Sequence, residues 1–328
     1  MLEILKKQNP FTLLFVIVYG FVIRSSIFFI DTSNIVFDKT QAFSFLTDKW
    51  CFVSSQNLIL HYIITTSILI VLSIFINVYL RDNKIIDKLG YLPTLFFLLI
   101  SACFSSFLYV SNEFIAFVFF SIGLIRLLQA LLIEETTVSV FDASFFMSVS
   151  SLFYKPLLLC FVIVLLAVLI LKNVNIKSLV FLILGLIIPY FLLGVYMFFT
   201  DRLSLFFTNI TPQLFSSLQL FAQKDYLQVI KIVFIGILTG MGFLQIQTQL
   251  SKSIVNIRKY YSMLLIVCLV FVPLFLINKQ MTTQHFMFLI LPVSYYILNF
   301  LKDMKRVWLS ELIHVALFAL IYLSNINN

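Results

Sequence analysis

The sequence is poor in charged residues, cysteine, histidine and glycine, and each shortage excludes a class of protein. Charged residues make up only 11% of the 328 residues, hydrophobic residues make up 62%, and the mean hydropathy is +1.08. A soluble domain needs a solvated polar surface, which this composition cannot supply. Lipid is therefore the solvent for most of the chain. Because a backbone in lipid must satisfy its own hydrogen bonds, the membrane segments are predicted to be helices.

The four cysteines and three histidines do not form the patterns that disulfide frameworks or metal sites require. Cys103, Cys160 and Cys268 lie inside apolar segments and only Cys51 lies in a loop, which favours packing roles. The histidines are far apart in the sequence and belong to no motif. No glycine-rich nucleotide-binding pattern is present. The sequence therefore predicts no cofactor.

Eleven apolar runs are predicted to form helices, since a segment of about 20 residues crosses a bilayer as a helix. The two runs that meet at Pro156 are short, and they form either two thin helices or one kinked re-entrant pair. We predict an all-α, polytopic transmembrane helical bundle of about 11 helices, in a single integral membrane domain that spans 1–328. The runs lie approximately at 11–30, 58–80, 90–110, 114–133, 143–155, 157–171, 178–200, 227–248, 260–278, 284–300 and 308–325.

The distribution of lysine and arginine predicts the orientation of the bundle. With the N-terminus in the cytoplasm, 14 of these residues fall on the cytoplasmic side and 8 on the other, which together make the 22 in the chain. The short inner loops RDNKIIDK (81–88) and LKDMKR (301–306) carry most of the bias, as the positive-inside rule expects. The C-terminus then lies outside, provided that 143–171 crosses twice. The net charge of +8 reflects this topology, and no nucleic-acid partner is predicted.

Two predicted outer loops are long enough to form structure of their own. They span 31–57 and 201–226 and contain the amphipathic patches QAFSFL and PQLFSSLQLFAQ. Such patches are typical of helices that lie in the membrane interface.

Several ionisable residues are predicted at the outer ends of helices, where they are candidates for a functional site. Arg24 lies about two turns inside the end of the first helix, and the seven-residue spacing to Asp31 places both on one face. A structural pair that fixes this helix is an equal alternative. Lys155, in SLFYKP, ends the fifth span, where snorkelling is the ordinary behaviour of a lysine and, for this residue taken alone, is favoured over a role in a site. His285 lies at the entrance to the tenth span, where histidine is a common interfacial residue.

In the order of these segments, the chain resembles the polytopic glycosyltransferases of the C-type fold, which use lipid-phosphate sugars. This superfamily includes protein O-mannosyltransferases and lipid A aminoarabinose transferases. Asp31 stands where the superfamily has the acidic residue that opens the first outer loop. The segment FFMSVSSLFYKPLLLCFVIVLLAVLIL (145–171), with Lys155, is similar to the superfamily's lysine-ended helix that runs into an apolar helix. The segment QHFMFLILP (284–292), with His285, is similar to its basic-aromatic entry to a proline-containing helix.

The resemblance implies a GT-C-like fold and transfer of a sugar from a polyprenyl-phosphate donor to an acceptor on the periplasmic face of the bacterial inner membrane. It implies Asp31 as the catalytic general base, with Arg24, Lys155 and His285 as the residues that bind the donor phosphate. The superfamily usually has a pair of acidic residues where this chain has Asp31 alone. One outer carboxylate is too few for a cage of oxygen ligands, so a divalent metal has no support and no metal ligand is predicted.

Two other functions are left open by the sequence. The short loops and the single acidic residue fit a non-catalytic subunit of an inner-membrane export or envelope-assembly complex, with membrane-protein partners. A lipid flippase or transporter is the third alternative. Such a protein is expected to show an internal repeat and broken or charged helices near the midplane. This sequence shows no convincing repeat, and its charges cluster at the ends of the helices. The chain also resembles an uncharacterised family of small inner-membrane proteins from Bacteroidota-type Gram-negative bacteria.

Overall fold

The computed structural model of the protein is built from helices. It describes Leu5 and residues 9–29, 58–85, 89–103, 105–132, 137–171, 176–203, 226–251, 253–277, 283–304 and 306–326. Within these ranges the chain forms eleven α-helices and four 3₁₀ helices, and no strand occurs in them. The predicted all-α class is therefore confirmed.

Each of the eleven predicted apolar runs overlaps one α-helix, and several runs also include a 3₁₀ segment. In chain order the helices are α1 (Pro10–Arg24), α2 (Leu58–Asp82), α3 (Leu92–Ser101), α4 (Asn112–Leu132), α5 (Thr137–Phe153), α6 (Cys160–Leu171), α7 (Ile176–Phe199), α8 (Tyr226–Leu250), α9 (Val255–Ile277), α10 (Ile290–Lys302) and α11 (Val307–Ile326). The 3₁₀ helices span Ser25–Phe29, Ser105–Leu108, Lys155–Leu159 and Thr283–Leu289.

Seven helical segments in the described ranges are long and apolar enough to cross a membrane. They are Pro10–Phe29, Leu58–Asp82, Asn112–Leu132, Ile176–Phe199, Val229–Leu250, Val255–Pro273 and Val307–Asn325. The chain is therefore a multi-pass membrane protein. Four further apolar helices are shorter, at Leu92–Ser101, Thr137–Phe153, Lys155–Leu169 and Phe286–Lys302. Eleven complete crossings and the GT-C-like arrangement thus stay predictions.

Helix α3 lies at the centre of the bundle, whereas α7 and α8 lie at its periphery. Every residue of α3 is buried, although the helix has only 10 residues. On α7 and α8 most residues are partly or fully exposed, and the exposed side chains are mainly leucine, isoleucine, valine and phenylalanine. Apolar side chains that face outwards on these helices face lipid.

Helices α5 and α7 run in the same direction along a close contact. A Cβ atom at Gly185 would collide with Ser144 Oγ, so the two helices approach closely at that level. Further along both helices, the hydroxyl groups of Ser151 and Tyr190 lie 2.7 Å apart. Because residue numbers rise together along the contact, α6 must return the chain between them. The predicted orientation requires this return of the chain in 143–171.

The C-terminal ends of α1, α3 and α11 lie together at one end of the bundle. Asn325 Nδ2 donates hydrogen bonds to Ser26 Oγ at 3.3 Å and to the Ala102 carbonyl oxygen at 2.9 Å. We call this end the outer end, after the orientation predicted from the sequence. The two predicted outer loops, 31–57 and 201–226, lie outside the described residues except for 201–203 and 226.

Candidate functional site

The described 3₁₀ segments lie at the outer end of the bundle, and two of them pack against each other. Ser105–Leu108 packs against Thr283–Leu289, and Ser25–Phe29 packs against α2 and α11. The ring of Tyr154, which directly precedes Lys155–Leu159, stacks on that of Phe288 with centroids 5.4 Å apart. Irregular backbone at membrane depth is tolerated only where protein or a cavity surrounds it. The outer end is therefore the part of the described bundle where a site is most plausible on physical grounds.

Arg24 is fully buried at the end of α1, and its guanidinium joins α1 to α2, to the end of α3 and to the 3₁₀ segment Ser105–Leu108. Its Nη1 donates to the Ser101 carbonyl oxygen at 3.1 Å, and its Nη2 donates to the Phe107 carbonyl oxygen at 2.7 Å. Its Nε and Nη2 also donate to the hydroxyl oxygens of Thr66 and Thr65, at 3.3 and 3.1 Å. These described partners are all neutral.

This arrangement makes Arg24 a cap for a helix that ends inside the protein. The last carbonyl groups of a helix have no intrahelical partner, and their partial negative charge attracts a cation. Arg24 supplies both hydrogen bonds and charge at the end of α3. The geometry favours the structural role among the two that the sequence left open. Asp31 lies outside the described residues, so its pairing with Arg24 stays a prediction. The role of Asp31 as general base and that of Arg24 in binding phosphate also stay predictions.

A second buried cation, Lys231, lies at the same end, and sequence reasoning did not select it as a site residue. Its side chain is fully buried, and its Nζ donates to Ser324 Oγ at 2.9 Å. Ser324 directly precedes Asn325, which binds the backbone after α3. The sequence does contain a signal that could have identified Lys231, which is a lysine five residues into an apolar helix. Ionisable groups within a membrane are costly, so such a lysine is a candidate site residue.

Lys155 begins the 3₁₀ segment that separates α5 from α6. Tyr154 before it has extended backbone angles, φ −141° and ψ 102°, and Pro156 follows it. Helix α5 ends at Phe153, before this extended residue, and Pro156 lacks the amide donor that would continue the helical hydrogen bonds. The break turns the Lys155 side chain, which is half-buried, towards a cavity beside α5.

The cavity lies between α5, α6 and α7, and its volume is about 760 Å³. This volume is within the range of small-molecule and cofactor sites, roughly 300–1,000 Å³. Among the described residues that line it, Lys155 is the one with a charge, and Ser148, Ser151 and Tyr190 supply hydroxyl groups. The other described lining residues are Met147, Leu157, Leu158, Phe161, Leu186, Ile187, Phe191, Gly194, Val195 and Phe198.

The hydroxyl groups in the cavity wall form a directed chain of hydrogen bonds. Ser148 Oγ donates to the Leu186 carbonyl oxygen at 2.7 Å, and Ser151 Oγ donates to the Ser148 carbonyl oxygen at 2.6 Å. Because the Ser151 proton is used in this way, the Tyr190 hydroxyl is the donor in its 2.7 Å bond to Ser151 Oγ. These hydrogen bonds hold α5 and α7 together, and the hydroxyl protons of all three side chains are already donated to acceptors in the protein.

One side of the cavity is open to the bilayer. Four residues on a single face of α7 both line the cavity and are exposed, with relative exposures of 38% to 64%: Ile187, Phe191, Val195 and Phe198. An apolar molecule dissolved in the membrane could therefore reach the cavity sideways, without crossing an aqueous surface.

The structure brings together the segments that carry Lys155 and His285. His285 belongs to Thr283–Leu289, and the stacking of Tyr154 on Phe288 joins that segment to the one that begins at Lys155. The side chain of His285 lies outside the described part of the structure. Among the described residues, no group of three or more His, Cys, Asp or Glu side chains could hold a metal ion.

No protein family, curated protein or solved structure matches this chain. A function must therefore be argued from the site itself and from the resemblance in segment order.

Proposed function

We propose that this protein is an integral membrane glycosyltransferase of the bacterial inner membrane. It would transfer a sugar from a polyprenyl-phosphate donor to an acceptor on the periplasmic face. The observation that supports this proposal is the cavity, whose described lining combines an apolar wall open to the bilayer with Lys155 at the outer end. A polyprenyl phosphate has the complementary form, with a long hydrocarbon chain and an anionic head that an amine can bind.

The proposed reaction exchanges one bond at the anomeric carbon of the sugar. The bond from this carbon to the donor phosphate breaks, and the acceptor hydroxyl oxygen forms the new bond. The proton of that hydroxyl passes to Asp31 as general base. Negative charge develops on the departing phosphate, where Lys155 and His285 would stabilise it. In this scheme Arg24 supports the site by holding the end of α3 in place, and its predicted contact with the phosphate is the alternative.

The proposal is tested by measuring release of polyprenyl phosphate from donors that carry mannose or aminoarabinose, with purified protein in nanodiscs. Lys155→Gln is expected to lower turnover by roughly 10²-fold, as removal of one charge-stabilising donor does in other enzymes. Asp31→Asn is expected to abolish it. Lys177→Gln is the matched control, because Lys177 lies at the opposite end of α7 from the cavity. Full turnover by either site variant, or no turnover by the parent protein with any donor, would contradict the proposal.

One observation favours a second candidate, a non-catalytic subunit of an inner-membrane complex. Gly236 and Gly240 lie on the exposed face of α8, and an added Cβ at either position would meet no atom within 4 Å. Small residues four apart are typical of faces where membrane helices pack together. Purification in mild detergent separates the candidates, because a subunit would retain a membrane-protein partner at fixed stoichiometry and show no donor turnover.

A further inference from the structure

We infer that the cavity holds the head-proximal part of one hydrocarbon chain of a single-chain lipid phosphate, and that the protein recognises no more of the chain than this part. The inference rests on the proposed function in taking the donor to be a lipid phosphate. It goes further in stating which portion of the lipid is bound and which lipids are excluded.

The volume of the cavity sets the length of chain that fits. A methylene group occupies a volume similar to that of a liquid water molecule, about 30 Å³. A cavity of about 760 Å³ therefore holds on the order of 25 such groups, or about five isoprene units. One chain of that length fits. A diacyl phospholipid would have to leave its second chain in the bilayer on the open side and place its bulkier glycerol phosphate head at Lys155, which should weaken its binding.

The position of the head follows from the hydrogen bonds in the cavity wall. Phosphate needs donors, but the protons of Ser151 and Tyr190 are already committed to the Ser148 carbonyl and to Ser151 Oγ. The amine of Lys155 is the charged donor that the described lining offers. The phosphate therefore lies at Lys155, at the outer end, and the chain extends inwards past the hydroxyl groups.

The open side of the cavity determines how the chain enters and where recognition ends. The exposed lining face of α7, which contains Phe191 and Phe198, lets a chain slide in from the bilayer. Any length beyond the cavity stays in lipid, where it was before binding, and so adds nothing to the affinity. Chain that does enter exchanges lipid for protein, so its gain comes from packing rather than from the hydrophobic effect.

The experiment is a competition series against labelled undecaprenyl phosphate, with purified protein in phosphatidylcholine nanodiscs. Geranyl, farnesyl, geranylgeranyl and undecaprenyl phosphate are compared. Affinity is expected to rise by about threefold per isoprene unit up to about five units and then to level off, so undecaprenyl phosphate should bind only about threefold more tightly than geranylgeranyl phosphate. Hexadecyl phosphate tests for a straight-chain source: binding as tight as that of farnesyl phosphate supports any single chain, and weaker binding supports an isoprenoid. Diacyl phosphatidic acid is expected to compete at least tenfold more weakly.

Two variants that fill the cavity test its role as a measure of chain length. Combined in one protein, Gly194→Leu and Ile187→Trp add to the lining a volume similar to that of about one isoprene unit, so affinity should already level off at geranylgeranyl phosphate. Gly240→Leu is the matched control and should leave the series unchanged, because space is open beside Gly240. Lys155→Gln should weaken every member of the series by the same factor, about tenfold.

Three results would overturn the inference: a steady rise up to undecaprenyl phosphate, equal binding of diacyl phosphatidic acid, or cavity variants that weaken all members equally. The series measures binding and needs no sugar. A protein that shows the levelling-off but releases no polyprenyl phosphate from a sugar donor would therefore keep this site and lose the proposed enzymatic activity.

Discussion

Replacing Arg24 with methionine is expected to destabilise the protein strongly while leaving the lipid site intact. The substitution removes the donors for the carbonyl oxygens of Ser101 and Phe107. Each buried acceptor that loses its partner costs about 1–3 kcal/mol. Part of this cost is offset, because a guanidinium no longer has to be kept out of water. We expect a net loss of about 2–4 kcal/mol, or roughly 3–6 °C in the unfolding midpoint of a chain of 328 residues.

The assay is thermal unfolding of purified protein followed by size-exclusion chromatography, with and without undecaprenyl phosphate. Arg202→Met is the matched control, because Arg202 is exposed at the outer end beyond α7, and it should leave the midpoint unchanged. Arg24→Met should lower the midpoint but keep the increment that the lipid adds. An unchanged midpoint together with a lost lipid increment would refute the capping role and support the phosphate-binding role implied by the resemblance.

Two further substitutions test the packing of the bundle. Gly242→Ala places a Cβ against the carbonyl group of Tyr296, so α8 and α10 must move apart. We expect the free energy of unfolding to fall by about 1–3 kcal/mol in the same unfolding assay. Gly240→Ala is the control, because an added Cβ there meets no atom. Tyr190→Phe removes the hydroxyl that donates to Ser151 and should lower the free energy of unfolding by about 1 kcal/mol. Binding of polyprenyl phosphate, measured by competition, should stay within about twofold of the parent protein. A larger loss of binding would mean that this hydroxyl contacts the lipid.

The helices could be predicted from the sequence because a hydropathy run is a local property. Each apolar run overlaps one α-helix, and Pro156 correctly marked the break between α5 and α6. The 3₁₀ segments could not be read in the same way. Ser105–Leu108 and Thr283–Leu289 pack against each other, and their conformation depends on that contact between distant parts of the chain.

The hydrogen-bond partners of Arg24 could not be predicted from sequence spacing. Sequence spacing offered a local partner seven residues away, whereas the described partners lie 41 to 83 residues further along the chain. Lys155 was identified because the break at Pro156 and the charge occur together in the sequence. The cavity beside it depends on the packing of α7 against α5, which no local pattern encodes.

The hydrogen bond from Asn325 to the Ala102 carbonyl has a consequence for how the protein is made. The two residues are 223 positions apart, and the donor belongs to the last helix. During synthesis from the N-terminus, α3 enters the membrane long before α11 exists. Until α11 inserts, the end of α3 must rest near water or lipid headgroups, because an unpaired carbonyl is costly in hydrocarbon. Insertion of α11 therefore provides the donor for this carbonyl, and truncated chains that lack α11 are expected to be degraded by quality-control proteases.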